Sequence, residues 1–273
     1  MGASTRGFFF DSGGARLYGY LHGAVEPARD TAVVLVHAFM EERQDSHAVV
    51  RDLAARLAER GFAALRFDLY GCGDSEGDWS DATLERWRDD VCAAARWLRE
   101  ATGVARVVLV GFRFGAALAG LAARSLDVAG VALVQPVVRG EAYVMEILLA
   151  NLAAEMVLNR RVGVTREGLI AQLEAGGAVN LFGYHLTSAQ YRGIRGIDLA
   201  RDLAGDGPPT LVVDVARTPT TREPREHLNL VAALGERGVA TRAVEPYALF
   251  NEGKVHVARA DEVCRAVLAW MER

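Results

Sequence analysis

Apolar positions along the chain fall into two alternating rhythms. Thr31 to His37 (TAVVLVH), Ala105 to Gly111 (ARVVLVG), Gly130 to Val138 and Thr210 to Ala216 are short apolar runs of the kind buried on both faces of a parallel sheet. Between them, apolar residues recur at helical spacing. Ser46 to Arg60 places Val50, Leu53, Leu57 and Ala58 on one face and stops at Gly61, and Thr83 to Glu100 aligns Leu84, Trp87, Val91, Ala94 and Leu98. Phe62 to Tyr70 and Val239 to Pro246 read as further strands. Arg113 to Leu126, Glu223 to Arg237 and a closing segment with Val263, Val267, Trp270 and Met271 read as helices. At the start, Gly7 to Phe10 and Ala15 to Gly23 flank Asp11-Ser12-Gly13-Gly14, the pattern of two strands joined by a tight turn. Strand and helix in this order predict an α/β fold, with a mostly parallel central sheet and helices on both faces.

One stretch breaks the rhythm. Residues 139–207 show no strand-like run and two helical pieces, Ala142 to Leu158 and Thr165 to Ala175, separated by glycine-containing turns. An insertion of that length between two strands predicts a helical cap at 139–207, over a core formed by 1–138 and 208–273.

Composition narrows the function classes. With 51% apolar and 24% charged residues in 273, and a net charge of −4 spread along the chain, no clustered basic face for nucleic acid is expected. Three separated cysteines, Cys72, Cys92 and Cys264, imply no disulfide framework and fit a cytoplasmic setting. Met1 to Phe10 is too short for a secretory signal, and the apolar runs fall below the ~18 residues of a membrane span. The histidines lack ligand-like spacing, so neither a metal nor another cofactor is expected. A small molecule is the expected partner; a homo-oligomer is neither indicated nor excluded.

Gly111-Phe112-Arg113-Phe114-Gly115 stands at a strand-to-helix junction and has the layout of the nucleophile elbow G-x-S-x-G of α/β-hydrolases. Arginine is not a nucleophile and stays protonated, so no acyl-enzyme forms on residue 113. Arg113 is expected to offer its guanidinium to a ligand carboxylate or phosphate, or to a nearby Glu; the plain alternative is a packing junction whose arginine reaches solvent. Gly73-Asp74-Ser75-Glu76-Gly77 matches G-x-S-x-G by letter, but no helix begins at Ser75, which is expected to bond loop backbone. Cys72 beside it is a minor nucleophile candidate.

His37-Ala38-Phe39-Met40-Glu41-Glu42 follows the third strand, where an oxyanion-binding amide is expected, and one carboxylate of the pair Glu41/Glu42 is expected to enter the site for proton transfer. Either glutamate can equally be a solvated residue leading into a helix. A triad acid would follow the strand holding Asp214, which sits inside that strand and can face the core. His256, ten residues past Pro246, stands at a place open to a triad base; the plain alternative is a surface or structural histidine near a helix start. Catalytic candidates are therefore Glu41, Glu42, Arg113 and His256. His37, Ala38, Phe39, Tyr70, Phe112, Phe114 and Gln135 are the expected substrate-binding residues.

The run HAFMEERQDSHAVVRDLAARLAERGFAALRFDLYGCGDSEGDW, with GFRFG, QPVVRGEAY (Gln135 to Tyr143) and GYHLT (Gly183 to Thr187), resembles the type 2 hydrolases associated with the exosortase A system. The likeness extends to about Asp198. It implies the α/β-hydrolase fold, and an arginine at the elbow with a Glu pair after the third strand as family features. The activity expected is hydrolysis or transfer of an ester, thioester or amide in a carboxylate- or acyl-bearing small molecule. Arg113 would hold the anionic group and a Glu would move the proton. The alternative is a binding or scaffold protein that keeps the pocket without turnover.

Overall fold

A computed structural model describes residues 5–24, 26–159, 163–245, 249–250 and 259–273. Eight strands form the main sheet: β1 (Thr5–Ser12), β2 (Ala15–His22), β3 (Thr31–Val36), β4 (Ala63–Phe67), β5 (Arg106–Phe112), β6 (Gly130–Val134), β9 (Thr210–Ala216) and β10 (Gly238–Val244). A separate two-stranded hairpin pairs β7 (Ala178–Leu181) with β8 (Tyr184–Thr187). The helices are α1 (Met40–Glu59), α2 (Leu84–Thr102), α3 (Phe114–Ala123), α4 (Gly140–Asn159), α5 (Arg166–Glu174), α6 (Ser188–Arg195), α7 (Leu199–Asp202), α8 (Arg225–Leu234) and α9 (Asp261–Met271).

The sheet order is β1-β2-β4-β3-β5-β6-β9-β10. The β1–β2 and β2–β4 pairs are antiparallel and the remaining pairs parallel. Every residue of β3 is buried, and alternate side chains enter opposite cores: Ala32, Val34 and Val36 join α2 and α3, whereas Val33 and Leu35 join α1 and α9. The sheet therefore separates two apolar cores, which is why its central strands read as unbroken apolar runs.

Three local expectations need correction. Helix α1 begins at Met40, six residues before Ser46, so Glu41 and Glu42 lie in its first turn. Two of the predicted strands are shorter, Ala63–Phe67 and Gly130–Val134, because their flanking residues leave the ladder for the loops above the sheet. Residues 139–207 do hold strands: β7 and β8 are four residues each, too short to impose a visible alternation. This hairpin and α6 pack on the loop after β4, where Trp79 Nε1 donates to His185 O at 3.0 Å and Gln190 Nε2 donates to Trp79 O at 2.6 Å.

Candidate functional site

Among the described residues, three of the four non-glycine residues with positive φ gather at one end of the sheet; the fourth, Phe182, turns the β7–β8 hairpin. Met40 (φ 49°), Arg113 (φ 52°) and Gln135 (φ 45°) follow the C-terminal ends of β3, β5 and β6, three adjacent parallel strands. Such conformations cost energy and persist where the surroundings enforce them. At Arg113 the enforcement is visible. A Cβ on Gly115 would stand 2.1 Å from His37 O, and one on Gly111 would stand 2.3 Å from Gly115 O. Only glycine at both positions lets α3 start directly off β5 while β3 passes alongside. Residue 113 is thereby forced into the left-handed region and its side chain thrown out of the turn.

That side chain is almost fully covered and already paired. Arg113 Nε donates to Glu42 Oε1 at 2.8 Å, and its NH2 group to Glu146 Oε1 at 3.0 Å. The hydroxyl of Tyr143 donates to Glu42 Oε2 at 2.8 Å, and the guanidinium lies 5.4 Å from the Tyr143 ring centroid and 5.9 Å from that of Phe250. Side-chain exposure is 11% for Arg113 and 7% for Glu42 but 47% for Glu146, so the Arg113–Glu42 contact is the dry half of the network. Burial pushes the Glu42 carboxyl above its usual range, against the pull of Arg113 and the Tyr143 hydroxyl. Burial also drives the Tyr143 phenol well up, with Glu42 adding to it, so Tyr143 serves as a donor. The flanking carboxylates hold Arg113 protonated against its own burial. Two carboxylates of the chain itself thus already accept from the Nε and NH2 groups of Arg113.

Glu41, one residue earlier on α1, is rotated about 100° away and exposed. Partial burial and the neighbouring Asp45 raise its carboxyl. Both glutamates line a cavity of about 250 Å³ between α1 and α4, closed on its apolar side by Ile147, Ala150 and Phe182. A second cavity, of about 110 Å³, shares Phe39 and Met40 with it and is lined further by His37, Ala38, Arg43, Cys72 and Trp79. Burial pushes the Cys72 thiol up to about 12, so it carries no thiolate near neutrality and drops out as a nucleophile.

Several expected lining residues lie elsewhere. Phe112 is fully buried on the α1/α9 side of the sheet, and Phe114 packs between Phe39 and Tyr143 in the opposite core. Tyr70 turns to Arg86, whose guanidinium lies 4.4 Å from its ring. Gln135 is a strut: its Oε1 accepts from Val215 N at 2.7 Å. Asp214 faces inward, with its oxygens on His227 Nδ1 at 3.3 Å and Arg242 Nε at 2.9 Å. His256 lies outside the described residues. Ser75 ties the loop together, donating to Asp68 O at 2.6 Å and accepting from Tyr18 N at 2.9 Å. Sequence reasoning missed Tyr143 and Glu146, which stand three apart on α4 and so share a helix face, and Arg43, one turn into α1. Among the described residues no His, Cys, Asp and Glu are grouped as a metal site.

A family model described as alpha/beta hydrolase fold matches residues 31–169, just over half of the chain. No curated protein sequence matches it. Similar solved structures include Est1E from Butyrivibrio proteoclasticus with ferulic acid bound (18% identity, 97% of this chain and 98% of that one, TM-score 0.67). The Pyrococcus furiosus esterase PF2001 aligns at 14% identity over 98% and 91% of the two chains (TM-score 0.64). Proline iminopeptidase from Mycobacterium smegmatis aligns at 17% identity over 97% of each (TM-score 0.60). At these identities the likeness concerns the fold.

Proposed function

The chain belongs to the α/β-hydrolase-fold family, and on that premise we propose that it acts on an acyl-bearing small molecule without forming an acyl-enzyme at the elbow. The observation that carries this reading is the closed network at residue 113: a paired arginine with Glu42 held between it and Tyr143. Glu42 faces the larger cavity, and burial raises its affinity for a proton. In this reading Glu42 takes a proton from a water or an acceptor hydroxyl as that oxygen attacks the acyl carbon. The proton then passes to the departing alcohol, thiol or amine. Arg113 and Tyr143 are positioning residues: each fills one site on the carboxylate and fixes its plane. Residues 139–207 act as the cap, since α4 supplies Tyr143 and Glu146. The esterase and iminopeptidase among the similar folds favour an ester, thioester or amide as the bond concerned. The resemblance to the exosortase-associated type 2 hydrolases and a reducing cytoplasmic location belong to the same reading.

The test is turnover of a panel of short-chain nitrophenyl esters, thioesters and anilides, alongside labelling with a fluorophosphonate. We expect turnover without labelling, loss of turnover in Glu42→Gln, and an acid limb of the kcat/KM profile that moves to higher pH in Tyr143→Phe. Losing the phenol removes a bond that favours ionised Glu42, a shift that a merely structural tyrosine would not cause. Labelling that vanishes with Ser75→Ala, or turnover indifferent to Glu42→Gln, would overturn it. A binding protein without turnover is the second reading. It is favoured by Asp214, whose carboxylate is occupied by His227 and Arg242. Ligand binding with no turnover across the panel would select it.

A further inference from the structure

One residue that lines the smaller cavity, His37, carries a polar atom that the fold leaves unsatisfied. His37 is only 6% exposed, and its Nδ1 has no hydrogen-bond partner. Buried ring nitrogens ordinarily find one, and an unpaired one on a cavity-lining residue is a candidate contact for a ligand atom. His37 cannot answer this by charging, because burial and the nearby Arg43 and Arg66 keep its imidazole neutral, with one N–H to give.

The charge around it is unbalanced. Arg66, 5% exposed, donates to His22 Nε2 at 3.0 Å and approaches His47 Nε2 at 3.4 Å; among the described residues no carboxylate pairs with it. Arg43 reaches into the cavity lining, and Asp68 accepts from its NH2 group. Arg43 in the lining is thus balanced by Asp68, while Arg66, outside the lining, adds an uncompensated positive charge acting on the neutral His37. The remaining walls are apolar, chiefly Phe39, Phe67, Leu69 and Trp79.

We propose that this cavity is a subsite for a short-chain monocarboxylate, its charged end against Arg43 and His37 and its carbon chain against Phe67, Leu69 and Trp79. The size fits: a cavity of ~150 Å³ accommodates benzene, and about 110 Å³ leaves room for a chain of a few carbons. An amine would meet the Arg43 guanidinium as a like charge, and an alcohol would leave the positive field of Arg43 and Arg66 uncompensated. The proposal deepens the acyl reading and rests on it for its meaning, since a carboxylate is what hydrolysis of an acyl bond releases. Through Phe39 and Met40 the subsite adjoins the cavity that Glu42 lines.

The test is an NMR titration of the isotope-labelled full chain with butyrate, butanol and butylamine, reading the His37 ring signals. Their loss in His37→Gln assigns them. We expect butyrate to shift them saturably in the millimolar range, butanol to bind at least about tenfold more weakly, butylamine to cause no shift, and Arg43→Gln to weaken butyrate by at least about tenfold. His37 signals unmoved by butyrate up to about 0.1 M, equal binding of the three ligands, or unchanged affinity in a folded Arg43→Gln would overturn the proposal. Should Arg43→Gln fail to fold, the three ligands on the unmodified protein decide the matter alone. Because the readout is binding, the two readings separate. Ester turnover with an unresponsive His37 sinks the subsite only, whereas a butyrate response with no turnover sinks the enzyme reading only.

Discussion

Removing the elbow arginine tests whether Arg113 is held by Glu42 or merely sits beside it. Arg113→Ala leaves Glu42 buried, with 7% side-chain exposure and only the Tyr143 hydroxyl to stabilise its charge. Stripping one partner from a buried pair costs roughly 3–5 kcal/mol. The lost contact to half-exposed Glu146 adds little, about 0–1 kcal/mol before screening, because that carboxylate can rehydrate. Since Tyr143 still donates to Glu42, we place the loss at the lower end, ~3 kcal/mol at pH 8. The loss is pH-dependent with a defined sign. Without the guanidinium, Glu42 in the folded variant titrates further above its ordinary 4.5 than it does beside Arg113. A carboxyl raised in the folded state favours folding in its protonated form, so the deficit narrows as pH falls from 8 towards 5, by up to ~1.4 kcal/mol per unit below the variant's Glu42 pKa. Urea unfolding of wild type and variant, followed by tryptophan fluorescence at both pH values, measures this directly. Replacing both partners, Arg113→Met with Glu42→Gln, should cost less than Arg113→Ala alone. A deficit under about 1 kcal/mol at pH 8, or one equal at the two pH values, would refute the reasoning.

Gly115→Ala puts a methyl 2.1 Å from the His37 carbonyl and 2.5 Å from that of Val36, contacts that only backbone movement can relieve. It should cost at least the ~1–3 kcal/mol typical of overpacking, and calorimetry showing an unchanged Tm would contradict it. Ser75→Ala leaves the Tyr18 amide without its side-chain acceptor and should lower stability by about 1–3 kcal/mol while any turnover stays within a few-fold. A loss of activity near 10³-fold would instead make Ser75 the nucleophile. His22, lowered to about 4 by burial with help from Arg66 and Arg51, stays neutral in the folded chain while its unfolded counterpart takes up a proton near 6.5. Its stabilising effect is complete above pH 6.5 and is lost as pH falls towards 4, at up to ~1.4 kcal/mol per unit. Chemical denaturation of wild type and His22→Gln across that window should differ in slope. Parallel curves would show that His22 titrates normally.

The buried strands and the elbow were legible in the sequence because their causes are local. A strand covered on both faces must be apolar at every position, as β3 is. A helix starting directly off a strand needs glycines where backbone crosses backbone, and Gly111 and Gly115 stand at those crossings. The same local reasoning ruled out acylation at residue 113, since no fold makes a guanidinium nucleophilic. Which side chains meet was decided only by the tertiary structure. One residue of helix, about 100° of rotation, separates buried Glu42 from exposed Glu41, and that phase depends on α1 starting at Met40. A strand's period of two sends Phe112 to the far core. Arg113 was equally ready for a ligand or for a partner within the chain. Glu146, some thirty residues on, reaches Arg113 because α4 folds over the elbow, and Tyr143 from the same helix holds Glu42. The unsatisfied His37 nitrogen has the same origin: whether a buried polar atom finds a partner depends on every segment that packs around it.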